Sequence, residues 1–159
     1  MHKNFWKLVD LYCFPCIFAI VTNGKFIEMK NPIEEARRYV SNAKDVIKNA
    51  NYDRKFKMYM DGKYVKMAGD TLWKGCLIAL DAVLNIRKGK GRPTIEKYKE
   101  AAGKRDQKLL AYIVTGYDTM HLYMGYDGTG NKKTCDSGFD YANMIIDRCA
   151  MLMPNAVGA

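Results

Sequence analysis

The sequence predicts an all-α protein: an antiparallel up-and-down four-helix bundle with one short extra helix. Three observations lead there. Four stretches of the 159-residue chain carry apolar residues at alternating spacings of three and four, the rhythm of one helix face. Each stretch is bounded by residues that start and stop helices. No segment alternates apolar and polar residues at a period of two, so no sheet is expected. An amphipathic helix must bury its stripe, and four stripes joined by short connections bury one another.

The first helix is expected from Asn31 to near Ala50. Asn31-Pro32-Ile33-Glu34 places a capping side chain before Pro at the first helical position, and Glu34 closes a capping box. Its seam is Ile33, Ala36, Val40, Ala43, Ile47 and Ala50. Asp61 caps the second helix, which runs to about Arg87 along Val65, Ala68, Leu72, Gly75, Ala79, Val83 and Ile86. Its middle, Cys76-Leu77-Ile78-Ala79-Leu80, is apolar all round and marks the most buried of the four. The glycines and proline of Arg87-Lys88-Gly89-Lys90-Gly91-Arg92-Pro93 make a loop. Thr94 then caps a short helix from Ile95 to about Ala102, closed by Gly103. The third long helix starts near Asp106 and stops by Gly125 or Gly128, with its seam at Leu109, Ile113, Tyr117, Met120 and Met124. A loop over residues 128–133 leads to the last helix, from Asp136 to Met153, with Phe139, Ala142, Ile146, Cys149 and Met153 in line and Pro154 as the stop.

Residues 1–28 differ from the rest, so the chain divides into a doubtful leader and a single helical domain, 29–159. The apolar stretch from Leu8 to Val21 is interrupted by Asp10 and Pro15 and is too short to span a bilayer. Three readings stay open. Met29 is the true start and the leader is never made; the leader is a poorly packed extension; or it is a secretory signal, against which no small-x-small cleavage pattern follows Val21. Cys13-Phe-Pro-Cys16 has the spacing of a dithiol redox motif, but no βαβ pattern follows to place a thiolate at a helix N-terminus, so its spacing is read as accidental.

Length and composition bound the function. A chain of this size buries roughly two thirds of its unfolded surface and needs no disulfide or metal to fold. Its formal charge of +9 suits a polyanionic partner, but the cations are spread along helices and loops alike and form no arm. Five cysteines without a repeated spacing read as small apolar residues of a reducing cytoplasm. No cofactor, no metal and no membrane partner are expected.

Two groups are candidate sites. Arg87, Lys88, Lys90 and Arg92 form a glycine-containing basic loop able to approach an anion, although it lacks the Gly-Lys-Ser/Thr ending of a phosphate-binding loop and follows a helix, whose C-terminal dipole the cations also complement. Asp118 and His121, with Tyr117 beside them, lie three apart on one helix face, spaced to share a proton. A metal there would need ligands from facing helices, and the only other histidine is His2. The favoured expectation is a structural His121, hydrogen-bonded inside the bundle near Asp118.

The order of a capped first helix, Lys63-Tyr64-Val65-Lys66-Met67-Ala68-Gly69, the buried Leu77-Ile78-Ala79-Leu80-Asp81-Ala82, a basic loop, a short helix, Tyr117-Asp118-Thr119-Met120-His121-Leu122 and a closing helix resembles the HEPN (higher eukaryote and prokaryote nucleotide-binding) superfamily. More closely, the chain is similar to a bacterial family of uncharacterised helical domains. The resemblance covers about residues 31 to 153. It implies an HEPN-like bundle, often dimeric, and many members are ribonucleases with Arg, four to six residues, then His on the third long helix. Here His121 matches the histidine, but Val114, Thr115 and Gly116 stand where the arginine belongs. The phosphate clamp and transition-state charge partner are thereby lost. The expectation is a non-catalytic domain that acts through protein binding or homodimerisation. The alternative is a divergent RNA-binding protein or ribonuclease using His121, Asp118 and cations of a partner chain.

Because the capping signal begins at Asn31 and no seam precedes it, a chain begun at Met29 is expected to keep full helicity and melting temperature. Circular dichroism checks this: a midpoint lowered by more than about 5 °C, about 1 to 2 kcal/mol for a domain of this size, would show that residues 1–28 pack on the bundle.

Overall fold

The computed structural model describes residues 31–86 and 91–153, and, nearer the N-terminus, the strands β1 (Ala19–Thr22) and β2 (Lys25–Glu28). These two strands pair antiparallel, Ala19 against Glu28 and Thr22 against Lys25, in a unit separate from residues 31–154. The second unit is the bundle. Helix α1 (Pro32–Ile47) tightens into a 3-10 turn at Lys48–Ala50 and leads to a second hairpin, β3 (Tyr52–Asp53) and β4 (Met58–Tyr59). Then follow α2 (Gly62–Leu84), the short α3 (Ile95–Arg105), α4 (Gln107–Tyr117) continuing as a π-helical segment (Asp118–Asp127), and α5 (Lys132–Leu152).

The seams lie where the spacing puts them. The five seam residues of α1 and Ala50 of the 3-10 turn are buried, as are Val65, Ala68, Leu72, Gly75, Ala79 and Val83 of α2, while Ile86 is half-buried beyond the end of α2 at Leu84. Leu109, Ile113, Met120 and Met124 line the inner face of α4 and its π segment, and Ala142, Ile146 and Cys149 that of α5. Tyr117, Phe139 and Met153 are half-buried at the edge of this core. Caps fix the helix starts: Asn31 Oδ1 accepts from the Ile33 amide at 3.0 Å and Asp61 Oδ1 from the Lys63 amide at 3.0 Å. Asp106 has two tasks. Its Oδ1 caps α4 through the Leu109 amide at 2.6 Å, and both its oxygens receive the Arg148 guanidinium of α5, which holds its carboxyl below the usual carboxylate range.

Four expectations are corrected. Two hairpins exist where no sheet was expected. Asn23-Gly24, the dipeptide best suited to a two-residue hairpin loop, stands between β1 and β2, and β3 and β4 are too short for any period to register. The last helix starts at Lys132, four residues before Asp136, because Asn131 Oδ1 accepts from the Lys133 and Thr134 amides and so caps it inside the expected loop. Gly103 does not close α3, which continues to Arg105 and ends at the extended Asp106. The third long helix is not α-helical throughout: its last ten residues are π-helix, closed by Gly128 in the left-handed region at φ 73°.

Glycine sets the spacing between helices. A Cβ on Gly69 of α2 would lie 2.6 Å from the Met120 carbonyl oxygen and 2.7 Å from the Gly125 amide nitrogen, so the backbones of α2 and the π segment run nearly in contact. Gly75, two turns on, admits α1 in the same way: its Cβ would meet the Ala36 carbonyl oxygen at 3.0 Å. Cys76, Cys135 and Cys149 are buried free thiols. Burial pushes all three up, Cys135 to about 11 and Cys149 to about 12. Among the described residues no helix is long and apolar enough to cross a membrane.

Gly69→Ala is expected to cost about 1 to 3 kcal/mol, because the obstructing atoms are backbone and cannot swing aside. Gly103→Ala, where the nearest contact is the Leu110 Cδ2 atom at 3.4 Å, is expected to be neutral or to gain up to about 1 kcal/mol from helix propensity. Urea midpoints of the two variants compare these directly, and equal losses would refute the close approach.

Candidate functional site: an aromatic groove beside His121

A groove of about 330 Å³ opens between α2, the segment that enters α3, and the junction of α4 with its π segment. Trp73 and Leu77 come from α2, Arg92 and Pro93 from the connection, Ile95 and Tyr98 from α3, and Tyr117 and His121 from the junction. Trp73 packs edge-on against Tyr117 at 5.3 Å between ring centroids, and His121 tilts against Tyr117 at 5.0 Å. Lys99 holds its ammonium 5.7 Å from the Tyr117 centroid. The floor is thus aromatic and its rim cationic.

Polar groups order one wall. The Tyr98 hydroxyl donates to Asp81 Oδ1 at 2.5 Å, and Arg92 Nη2 stands 3.9 Å from Asp81 Oδ2. Tyr98 is a fully buried side chain, and burial followed by the neighbouring Asp81 carboxylate raises its phenol well above the usual range, so it stays a donor. Asp81 therefore ties α2 to α3 and holds Arg92 at the mouth of the groove.

His121 is where the sequence reading needs correction. Its side chain is 42% exposed, and no hydrogen bond joins it to Asp118. Asp and His three apart share a face on an α-helix, but the wider π turn brings His121 over Tyr117, four residues back, and swings it away from Asp118. Its Nδ1 is buried without a hydrogen-bond partner, and the nearest carboxylate is Asp70 Oδ1 of α2 at 3.9 Å. Gly125 makes room for that carboxylate: a Cβ there would lie 2.7 Å from Asp70 Oδ1. With Nδ1 shut in, Nε2 is the nitrogen left to solvent.

One member of each candidate group lines the groove, Arg92 of the basic loop and His121; Asp118 does not line it. Arg87, Lys88 and Lys90, like Cys13, Cys16 and His2, lie outside the described residues. Asp70 and Asp81 stand in the sequence as acids of the second helix able to face inward but without a paired pattern, and the structure places Asp70 beside His121 and Asp81 beside Tyr98. Trp73 and Tyr98 are each one more aromatic on a helix, and only the packing distinguishes them. Among the described residues no group of three or more His, Cys, Asp or Glu side chains is placed to hold a metal ion.

Residues 31–151 match the model of a family described as a domain of unknown function, DUF5618. The chain belongs to this family. No curated protein matches it. A solved structure, a protein of unknown function from Dyadobacter fermentans, is similar at 36% identity and a TM-score of 0.67, covering 76% of this chain and 93% of the other. The family match begins at Asn31, the cap of α1, and takes in every residue that lines the groove.

Tyr98→Phe is expected to lower stability by about 1.5 to 3 kcal/mol, the range for a hydrogen bond to a charged acceptor. Urea unfolding measures it; a loss under about 0.5 kcal/mol would mean that Asp81 does not hold α3 in place.

Proposed function

We propose that this domain acts by binding and not by turnover, and that its partner is a protein, in the first place a second copy of the chain. The supporting observation is the groove itself: preformed, aromatic-floored and rimmed by Arg92, it has the composition of a pocket that receives a ring or aliphatic anchor from across an interface. The π segment beside it presents Tyr126 at 77% exposure, together with the exposed Leu122 and Tyr123. A self-complementary contact needs both a pocket and an anchor on one surface, and these supply the two halves. The resemblance of the sequence to the HEPN superfamily, whose members are often dimeric, is what else supports this reading.

A second reading, a divergent ribonuclease, has one observation in its favour. Asp70 stands behind Nδ1 of His121, as a carboxylate does where it orients an imidazole whose other nitrogen takes a proton. What weighs against it is the missing clamp: Val114 and Thr115 are exposed non-ionisable residues and Gly116 is buried against Ile145, so no cation of α4 stands where the arginine of the HEPN ribonuclease motif belongs.

Sedimentation and RNA cleavage separate the readings. The protein is expected to self-associate, and Arg92→Glu and Tyr126→Ala, both at exposed positions, are each expected to weaken association at least about tenfold. RNA incubated with the wild type is expected to be cleaved no faster than in buffer. A monomer at all concentrations would remove the first reading. Metal-independent cleavage that falls about a hundredfold or more in His121→Ala, with folding intact, would establish the second.

A further inference from the structure

The hairpin of β3 and β4 stands at the opposite end of the bundle from the connection that carries Arg92. Its tip carries Arg54, Lys55, Phe56 and Lys57, all exposed, and Phe56 and Met60 are each 62% exposed. Lys55 lays its ammonium 5.5 Å from the Phe56 centroid, and none of the three cations meets a carboxylate among the described residues. Apolar side chains left in water at a charged tip cost solvation and add nothing to the core.

The tip is also held rigidly. Asp53 Oδ1 accepts from the Lys55 and Phe56 amides at 2.8 and 3.0 Å, and Lys57 takes a left-handed conformation at φ 51°. The Lys57 carbonyl accepts from the Lys132 amide at 2.9 Å, and the Tyr59 amide donates to the Gly130 carbonyl at 2.7 Å. Gly130 permits this, since a Cβ there would strike the Tyr59 carbonyl. Tyr52 and Tyr59 pair at 5.1 Å on one face of the hairpin, which leaves Met58 and Met60 on the other. The hairpin is therefore clamped to the start of α5 and presents Phe56 among three cations at its tip, with the exposed Met60 at its base, where the Met60 amide donates to the Asn51 carbonyl at 3.1 Å.

We propose that this hairpin docks the protein on an anionic lipid surface, with Phe56 at its tip, and Met60 on its flank, entering the boundary between headgroups and acyl chains and Arg54, Lys55 and Lys57 meeting the negative headgroups. Charge complementarity and the mixture of side chains select that partner. An anionic leaflet attracts clustered cations, and Lys and Arg reach headgroups while neighbouring apolar groups bury below them. A nucleic acid would use the same cations and the Phe56 ring, but Met58 and Met60 offer a base no ring to stack on, and a convex tip gives a strand no groove to follow. Nothing spans the bilayer in this contact, and it lies apart from the groove beside His121.

Flotation of the full chain with vesicles tests it, using phosphatidylcholine alone and phosphatidylcholine with about one third phosphatidylserine, at low and high salt. The protein is expected to float with the phosphatidylserine vesicles, to stay behind with phosphatidylcholine, and to be released as salt rises. The pair Phe56→Ala with Met60→Ala, and separately Lys55→Glu with Lys57→Glu, are each expected to lower the bound fraction about tenfold with unchanged circular dichroism. Should either pair disturb folding, Phe56→Trp replaces it, and its emission after subtraction of the wild-type emission of Trp6 and Trp73 is expected to shift to the blue with phosphatidylserine vesicles only. No flotation at low salt, flotation that the hairpin changes leave untouched, or an unshifted Trp emission would overturn the proposal. So would hairpin changes that abolish retention of single-stranded RNA and spare vesicle binding.

Discussion

The near contact of backbones at Gly69 and Gly125 is the constraint on which the rest of this bundle depends. Helices usually meet through interleaved side chains about 8 to 10 Å apart, axis to axis. Here α2 and the π segment leave no space for even a methyl group between them, and the helix facing α2 carries its wider turn at that point. Gly138 of α5 lies against Met124 on the far side of the same segment. The π segment is therefore wedged between two glycine-lined faces. Its inward residues Met120 and Met124 are the flexible, polarisable kind that fill an irregular gap.

The groove follows from that wedge. Turning the third long helix into a π segment carries His121 onto Tyr117 and Trp73, while the absent side chain at Gly125 lets Asp70 lean toward the imidazole. On the opposite wall Asp81 is shared by Tyr98 and Arg92, so one carboxylate of α2 sets the position of both α3 and the segment before it. Each end of the groove thus has an acid from α2 beside a lining side chain, Asp70 beside His121 and Asp81 beside Arg92. Helix α2, the most buried of the set, serves as backbone to the core and as the base of the groove alike.

What was legible in the sequence, and what was not, divides along a physical line. The seams of α1 and α2 were readable because burial imposes a period on a regular helix, and Asn31 and Asp61 because a cap is a local bond between near neighbours. The pairing of His121 with Asp118 misled because it assumed α-helical spacing, whereas the segment is a π-helix packed closely against α2 and α5, and no local pattern in the sequence marks it. Asp70 and Tyr98 became meaningful only through partners on other helices. The hairpin at residues 52–59 lies between these extremes. Its Asx turn at Asp53 is a local signal, but its anchoring to Gly130 and Lys132 is not.

The buried cysteines carry a consequence of a kinetic kind. A thiolate, not a thiol, attacks an alkylating reagent, and the thiols of Cys76 and Cys149 are fully enclosed and held protonated. Cys76 lies at the centre of α2 with Met120 of the π segment 3.9 Å from its sulfur, while Cys149 belongs to α5. Reagent reaches either sulfur only when the helices around it part, so each labelling rate reads an opening free energy at its own place in the core. Cys76 and Cys149 thereby act as built-in clocks, one set at the tight crossing of α2 with the π segment and one in α5. A ligand or partner that closes the bundle would slow them in proportion to how far its effect travels.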